Sequence, residues 1–205
     1  MKALGHFRTI NHHKMLVMKG CFKVGLYRQG IMHDMSKYMP SEFLVGCKYF
    51  QGTRSPNNAE REATGVSSAW LHHKGRNKHH YEYWIDYSLN RDEGFVGVKM
   101  PEKYIVEMFI DRISASKTYN KENYNEKLPL MYYEKGAEKL GNMLHKDTAG
   151  LLKKLLIMLS EQGEEETYRY IRRDILKNDD HLSVKMGKMI RKWYHKSKNT
   201  KNSAH

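Results

Sequence analysis

The chain has 205 residues, a formal net charge of +13, and 40% hydrophobic and 11% aromatic residues. That is enough apolar material for one buried core and too much for a disordered chain. The longest apolar run, residues 151–159, is broken by Lys153 and Lys154 and falls short of the roughly 20 residues that cross a bilayer, and the N-terminal residues, with Lys2, His6 and Arg8, lack the apolar stretch of a secretory signal. A single cytoplasmic domain without membrane segments is therefore expected, and its charge favours anionic partners. Cys21 and Cys47 lie in apolar, helix-like stretches with no Cys-x-x-Cys spacing, which predicts reduced core thiols.

The first predicted helix covers residues 10–27, where Ile10, His13, Val17, Cys21 and Val24 recur every three or four positions and put His13 on the inward stripe. Residues 31–38 hold the doublet His33-Asp34. Pro40-Ser41-Glu42 then opens a helix through residue 50. Residues 51–68, with Gly52, Pro56, Asn57, Asn58 and Gly65 among charges, read as a long surface loop able to act as a lid. Residues 69–84 carry His72, His73, His79 and His80 among aromatics, and residues 90–99 form a polar connection with at most a short strand pair. Pro101-Glu102 starts a further helix whose stripe is Tyr104, Ile105, Met108, Phe109 and Ile113. Two more helices, 148–161 and 164–176, are separated by Gly163. From Lys185 onward come seven lysines and arginines and no acidic residue. Residues 1–184 are thus expected to form an all-α domain, and residues 185–205 a basic end able to bind nucleic-acid phosphates.

His13, His33-Asp34, His72-His73, His79-His80 and Asp111 place neutral imidazoles and hard carboxylates on successive helical segments. That mixture suits one or two divalent transition ions among iron, manganese, cobalt, nickel and zinc. A buried charge between Ile31-Met32 and Met35 needs a partner or a metal. His12 or His13, and His72 or His73, are alternatives, since adjacent helical side chains diverge by about 100°; the apolar stripe favours His13. His6, His145, His181, His195 and His205 are expected on the surface. Asn77 can orient a histidine or form the turn at Gly75-Arg76-Asn77. Trp70, Tyr81, Tyr83 and Trp84 read as core residues before they read as a base-stacking platform. Arg54, Lys74, Arg76, Lys78 and Arg112 would make a site mouth positive, or form an ordinary solvated surface.

His33-Asp34-Met35-Ser36-Lys37 resembles the HD-x-[GS]-K motif of the HD-domain phosphohydrolase superfamily. The runs HDMSKYMPSEF, SSAWLHHKGRNKHHYEYW and MPEKYIVEMFIDR are similar to a family of small, functionally uncharacterised bacterial HD-like proteins over roughly residues 9–176. The resemblance implies an HD-like helical bundle. It implies metal ligation by His13, His33, Asp34, His73, His79, His80 and Asp111, with Asp34 and Lys37 catalytic. Lys37, Arg76 and Asn77 would bind an anionic phosphate-containing small molecule or nucleotide. Glu107, one turn from Asp111, would orient a ligand or water. The Gly-Tyr-Pro element of the cyclic-dinucleotide hydrolases is missing, so that activity is not implied. Expected activity is phosphohydrolase or phosphodiesterase chemistry; a di-iron redox enzyme on the same scaffold and a nucleic-acid-binding module are the alternatives.

Overall fold

In the computed structural model, which describes residues 2–137 and 140–177, helix α1 runs Lys2–Lys23 and buries His6, Ile10, His13, Val17, Gly20 and Cys21 along one stripe. The stripe matches the expected spacing, and the helix starts eight residues earlier than its apolar pattern, at Lys2 and not Ile10. Short α2 (Tyr27–Met32) ends at the doublet: His33 leaves the helix at φ −52°, ψ 128°, Asp34 takes the left-handed region at φ 53°, and a 3-10 turn covers Met35–Tyr38. Helix α3 (Pro40–Tyr49) begins at a proline, whose predecessor Met39 is extended, as the steric clash with the ring requires.

Residues 51–68 are not one loop. Helix α4 (Pro56–Thr64) occupies the middle, with Pro56 at its first position and Gly65 just past its end. Its Glu60 is buried and accepts from Ser67 Oγ (2.5 Å), Ser68 Oγ (2.6 Å) and Ser68 N (3.0 Å). That satisfies the start of α5 (Ser68–Lys74), whose first amides have no partner within the helix. A helix of nine residues with one buried polar anchor leaves almost no apolar period to read.

A two-stranded antiparallel sheet, β1 (Ile85–Tyr87) with β2 (Phe95–Gly97), follows. Helix α6 (Glu102–Asn120) is buried at Ile105, Val106, Glu107, Met108, Phe109, Ile110 and Ile113, nearly all round, so it runs through the middle of the molecule. Helix α7 (Leu128–Ala137) packs on α8 (Lys146–Tyr170). The expected break at Gly163 is present: its backbone lies at φ 82°, ψ 174°, and the Glu126 carboxylate accepts from Glu164 N at 3.0 Å, capping the segment that resumes. The core joins Val17 and Cys21 of α1, Val106, Phe109 and Ile110 of α6, and Leu152, Leu155, Leu156 and Leu159 of α8. This is an all-α, single-domain fold, with α6 between α1 and α8. Among the described residues no helix is long and apolar enough to cross a membrane. The basic end at 185–205 lies outside the described residues, as do His181, His195 and His205.

Candidate metal centre

Four elements deliver the donors. His13 comes from the buried stripe of α1, His33 and Asp34 from the break after α2, His73 from the last turn of α5 with His79 and His80 in the segment after it, and Asp111 from α6. The break is what lets neighbours His33 and Asp34 face the same centre, and Lys14 pins it by donating to the carbonyl oxygens of Ile31 and His33, both at 2.7 Å. A left-handed aspartate carries a steric cost that the surroundings must offset.

The seven donors form two groups that share Asp34: His13, His33, Asp34 and Asp111 in one, Asp34, His73, His79 and His80 in the other, with the donor atoms of each group within 4.8 Å of one another. Asp34 divides its oxygens between them. Oδ1 is 3.3 Å from His73 Nε2 and 3.4 Å from His79 Nε2, whereas Oδ2 is 3.3 Å from His33 Nε2 and 3.9 Å from His13 Nε2. Asp111 Oδ1 stands 2.9 Å from His13 Nε2 and 3.5 Å from His33 Nε2. Asp34 Oδ1 and the Nε2 atoms of His13, His33, His79 and His80 are buried with no hydrogen-bonded partner; the close approaches among them lack hydrogen-bond geometry. Buried donors and acceptors are almost always satisfied, so five such atoms converging on two points fit the coordination of cations.

The outer nitrogens are anchored. His33 Nδ1 meets Glu107 Oε1 at 3.0 Å, His79 Nδ1 meets the same oxygen at 3.3 Å, and His73 Nδ1 meets Glu42 Oε2 at 2.8 Å. An Nδ1–H donated to a carboxylate leaves the Nε2 lone pair pointing inward, the arrangement that metal-binding histidines use. Glu42 Oε1 holds His72 at 2.5 Å, which also contacts Ser41 Oγ, so His72 stands outside both groups while His73 is inside. His12 is exposed on α1 and His13 faces the centre.

The charges interlock. Burial pushes the Asp34 carboxyl up, but the charges of His33, Lys37 and His73 outweigh it and hold the group well below the usual carboxylate range. Asp111 is likewise held low against its burial by contact with His13 and His33. Burial lowers His33 and His73, yet Asp34 and the other carboxylates raise both; burial depresses His13 and, far more, His80. The cluster's carboxylates demand positive charge, which a proton on His33 or His73 can supply and which a cation held by the same groups can supply instead.

Lys37 Nζ lies 2.7 Å from Asp34 Oδ2 with its side chain 30% exposed, between the cluster and solvent. Asn77 is buried behind His73, donating to Ser36 Oγ (2.9 Å) and to the His73 carbonyl (2.8 Å), while its own amide and that of Arg76 close the turn onto the same carbonyl. Asn77 thus forms the turn and, with its Nδ2 3.1 Å from His73 Nδ1, also sits against that ring, and its amide is committed to protein atoms. Arg76 is exposed and donates to the His72 carbonyl, which leaves it joined to the helix end and not to the cluster. Arg54 is paired with Glu62, and Arg112 lies over the Tyr133 ring. Trp70 packs on the rings of His73 and His80 at 5.6 and 4.8 Å, and Tyr81 and Trp84 pack on the core.

His6 departs from its expected surface place: it is buried against Phe43 and Phe50. His145 caps α8, its Nδ1 accepting from Asp147 N. Glu42 is the supporting residue that the sequence reading did not single out. Its one signal is an acid in the first turn of a proline-started helix, which reads as a helix-end charge and not as a histidine anchor.

No curated protein and no solved structure matches the chain. A family model covering residues 2–158 does match, and that span contains every member of both donor groups; the chain belongs to this family, a family of unknown function (DUF5662).

Proposed function

We propose that this protein is a metal-dependent phosphohydrolase or phosphodiesterase that binds two divalent ions, one in each donor group. The observation that carries the reading is the division of Asp34, one oxygen toward each group. The order His, His-Asp, His, His-His, Asp and the motif His33-Asp34-Met35-Ser36-Lys37 resemble the HD-domain phosphohydrolases and support it. Bound ions there would supply Lewis acidity, a water of lowered pKa and a clamp on the oxygens of an in-line displacement.

The remaining work falls to side chains. Glu107 and Glu42 fix the tautomers of His33, His79 and His73. Lys37, whose ammonium is favoured because the neighbouring Asp34 carboxylate outweighs its burial, holds a phosphate oxygen at the solvent side. Trp70 excludes water from the rings it covers. The substrate on this reading is an anionic phosphate ester or nucleotide.

The test is elemental analysis of protein purified without chelator, joined to a panel of phosphomonoesters, phosphodiesters and nucleotides. About two ions per chain and phosphate release that chelator stops and manganese, iron, cobalt, nickel or zinc restores are expected. Protein that takes up none of these ions sinks the reading. Iron absorption with oxygen uptake and no phosphate release would move the centre to di-iron redox chemistry.

A further inference from the structure

We propose that Glu107 is the positioning residue that couples the two ion sites, so that both ions depend on one buried carboxylate. The inference rests on the two-ion reading. Glu107 sits on α6 one turn before Asp111, on the same helix face, and is only 5% exposed. Its Oε1 contacts Nδ1 of His33 and Nδ1 of His79. His33 belongs to the group completed by His13 and Asp111, and His79 to the group completed by His73 and His80. One oxygen therefore sets the tautomer and ring direction of one ligand in each site.

Glu42 provides the internal contrast. It also binds two imidazoles, but one of them, His72, is in neither group, so Glu42 supports the His73 side alone. The two rings held by Glu107 have their centroids 4.4 Å apart with the planes tilted by 34°, so that each crowds the rotation of the other. Loss of the acceptor releases both. The competing arrangement is a third ion held by His33, His79 and Glu107 themselves, whose atoms also lie within 4.8 Å of one another. In that case the Nδ1 atoms are ligands and carry no proton.

The experiment titrates the full-length protein with cobalt(II) and zinc, reading stoichiometry by elemental analysis and site geometry by the cobalt visible bands. Glu107→Gln, which keeps the shape and an acceptor oxygen but loses the charge, is expected to weaken both ions by about 10–100-fold and to change the bands of both. Glu42→Gln is expected to weaken one ion and leave the other. Weakening of one ion or neither in Glu107→Gln overturns the coupling, as does a wild-type stoichiometry of three that falls to two. Independently of how that variant folds, ¹⁵N-histidine spectra of the ion-loaded wild-type protein must show His33 and His79 both protonated at Nδ1; a bare Nδ1 on either overturns it. Wild-type protein that binds no ion removes the centre and the coupling together. Two coupled ions without turnover of any phosphate ester would overturn only the hydrolase reading.

Discussion

Asp34 and Lys37 sit three residues apart and touch at 2.7 Å, yet their chemistry separates them. The aspartate belongs to both donor groups, whereas a protonated lysine has no lone pair to offer an ion. Asp34→Ala should therefore abolish loading of both sites, and Lys37→Ala should leave the ions bound while turnover falls by about 100-fold, the usual loss on removing one charge-stabilising donor. Metal content and turnover measured on the same preparations check this, and ion loss in Lys37→Ala with retention in Asp34→Ala would reverse the roles. At this scale the residues that cluster around Asp34 could be picked out in the sequence because histidines and carboxylates recur there in a pattern that metal chemistry would need: His33-Asp34 stands out as charge within an apolar stretch. Glu42 was not readable, because its partners lie 30 and 31 residues away and no local period links them. Arg76 shows the converse, a basic residue near the clustered histidines in sequence whose guanidinium closes its own helix end.

Among the contacts between helices α1 and α3 is one that the sequence hides. A Cβ at Gly46 would fall 2.0 Å from His6 Nε2, so the glycine exists to seat the imidazole between Phe43 and Phe50. Gly46→Ala should destabilise the protein by about 1–3 kcal/mol, the usual result of overfilling a packed site. His6→Ala in the same chain should recover part of that, a coupling that denaturant midpoints of the two single variants and the double variant will show; strictly additive losses would mean the two residues do not compete for space. The same site titrates. Burial first, and the charge of Lys37 second, lower the His6 pKa from 6.5 to about 4, so the unfolded chain binds the proton more readily than the folded one. Stability from this site is complete above pH 6.5 and drains away as pH falls toward 4, and His6→Phe should flatten that stretch of the stability profile. Elements with a long apolar stripe, α1, α6 and the two halves of α8, were legible for the same reason that His6 was not. Periodicity reports which face of a helix is buried, and an isolated polar residue at its N-terminal end carries no such report. Helix α4, fixed by Pro56, Gly65 and the buried Glu60, escaped because its signals are caps and not a stripe.

Across the whole molecule the centre ties α1, the α2–α3 break, the segment around α5 and α6 to one point, while the apolar core ties α1 and α6 to α8. Four carboxylates, of Asp34, Glu42, Glu107 and Asp111, meet the five histidines of that centre and His72 beside it, and buried charges of this kind are costly unless paired. An ion that binds the folded chain and not the unfolded one adds stability by mass action, about 2.7 kcal/mol at a free concentration about 100 times its Kd. For a domain of this size, each kcal/mol moves the melting temperature by about 2–4 °C, so chelation should lower Tm by about 5–10 °C for each ion removed. Adding back manganese or zinc should restore it. In Asp34→Ala, where neither group is complete, the chelator should have no further effect, which separates ion removal from any general action of the chelator on the fold. Differential scanning calorimetry with parallel elemental analysis makes the measurement. A Tm that stays fixed while the ions demonstrably leave would mean that the cluster is held together by its own proton-bearing histidines, with His33 and His73 supplying the positive charge that the carboxylates require.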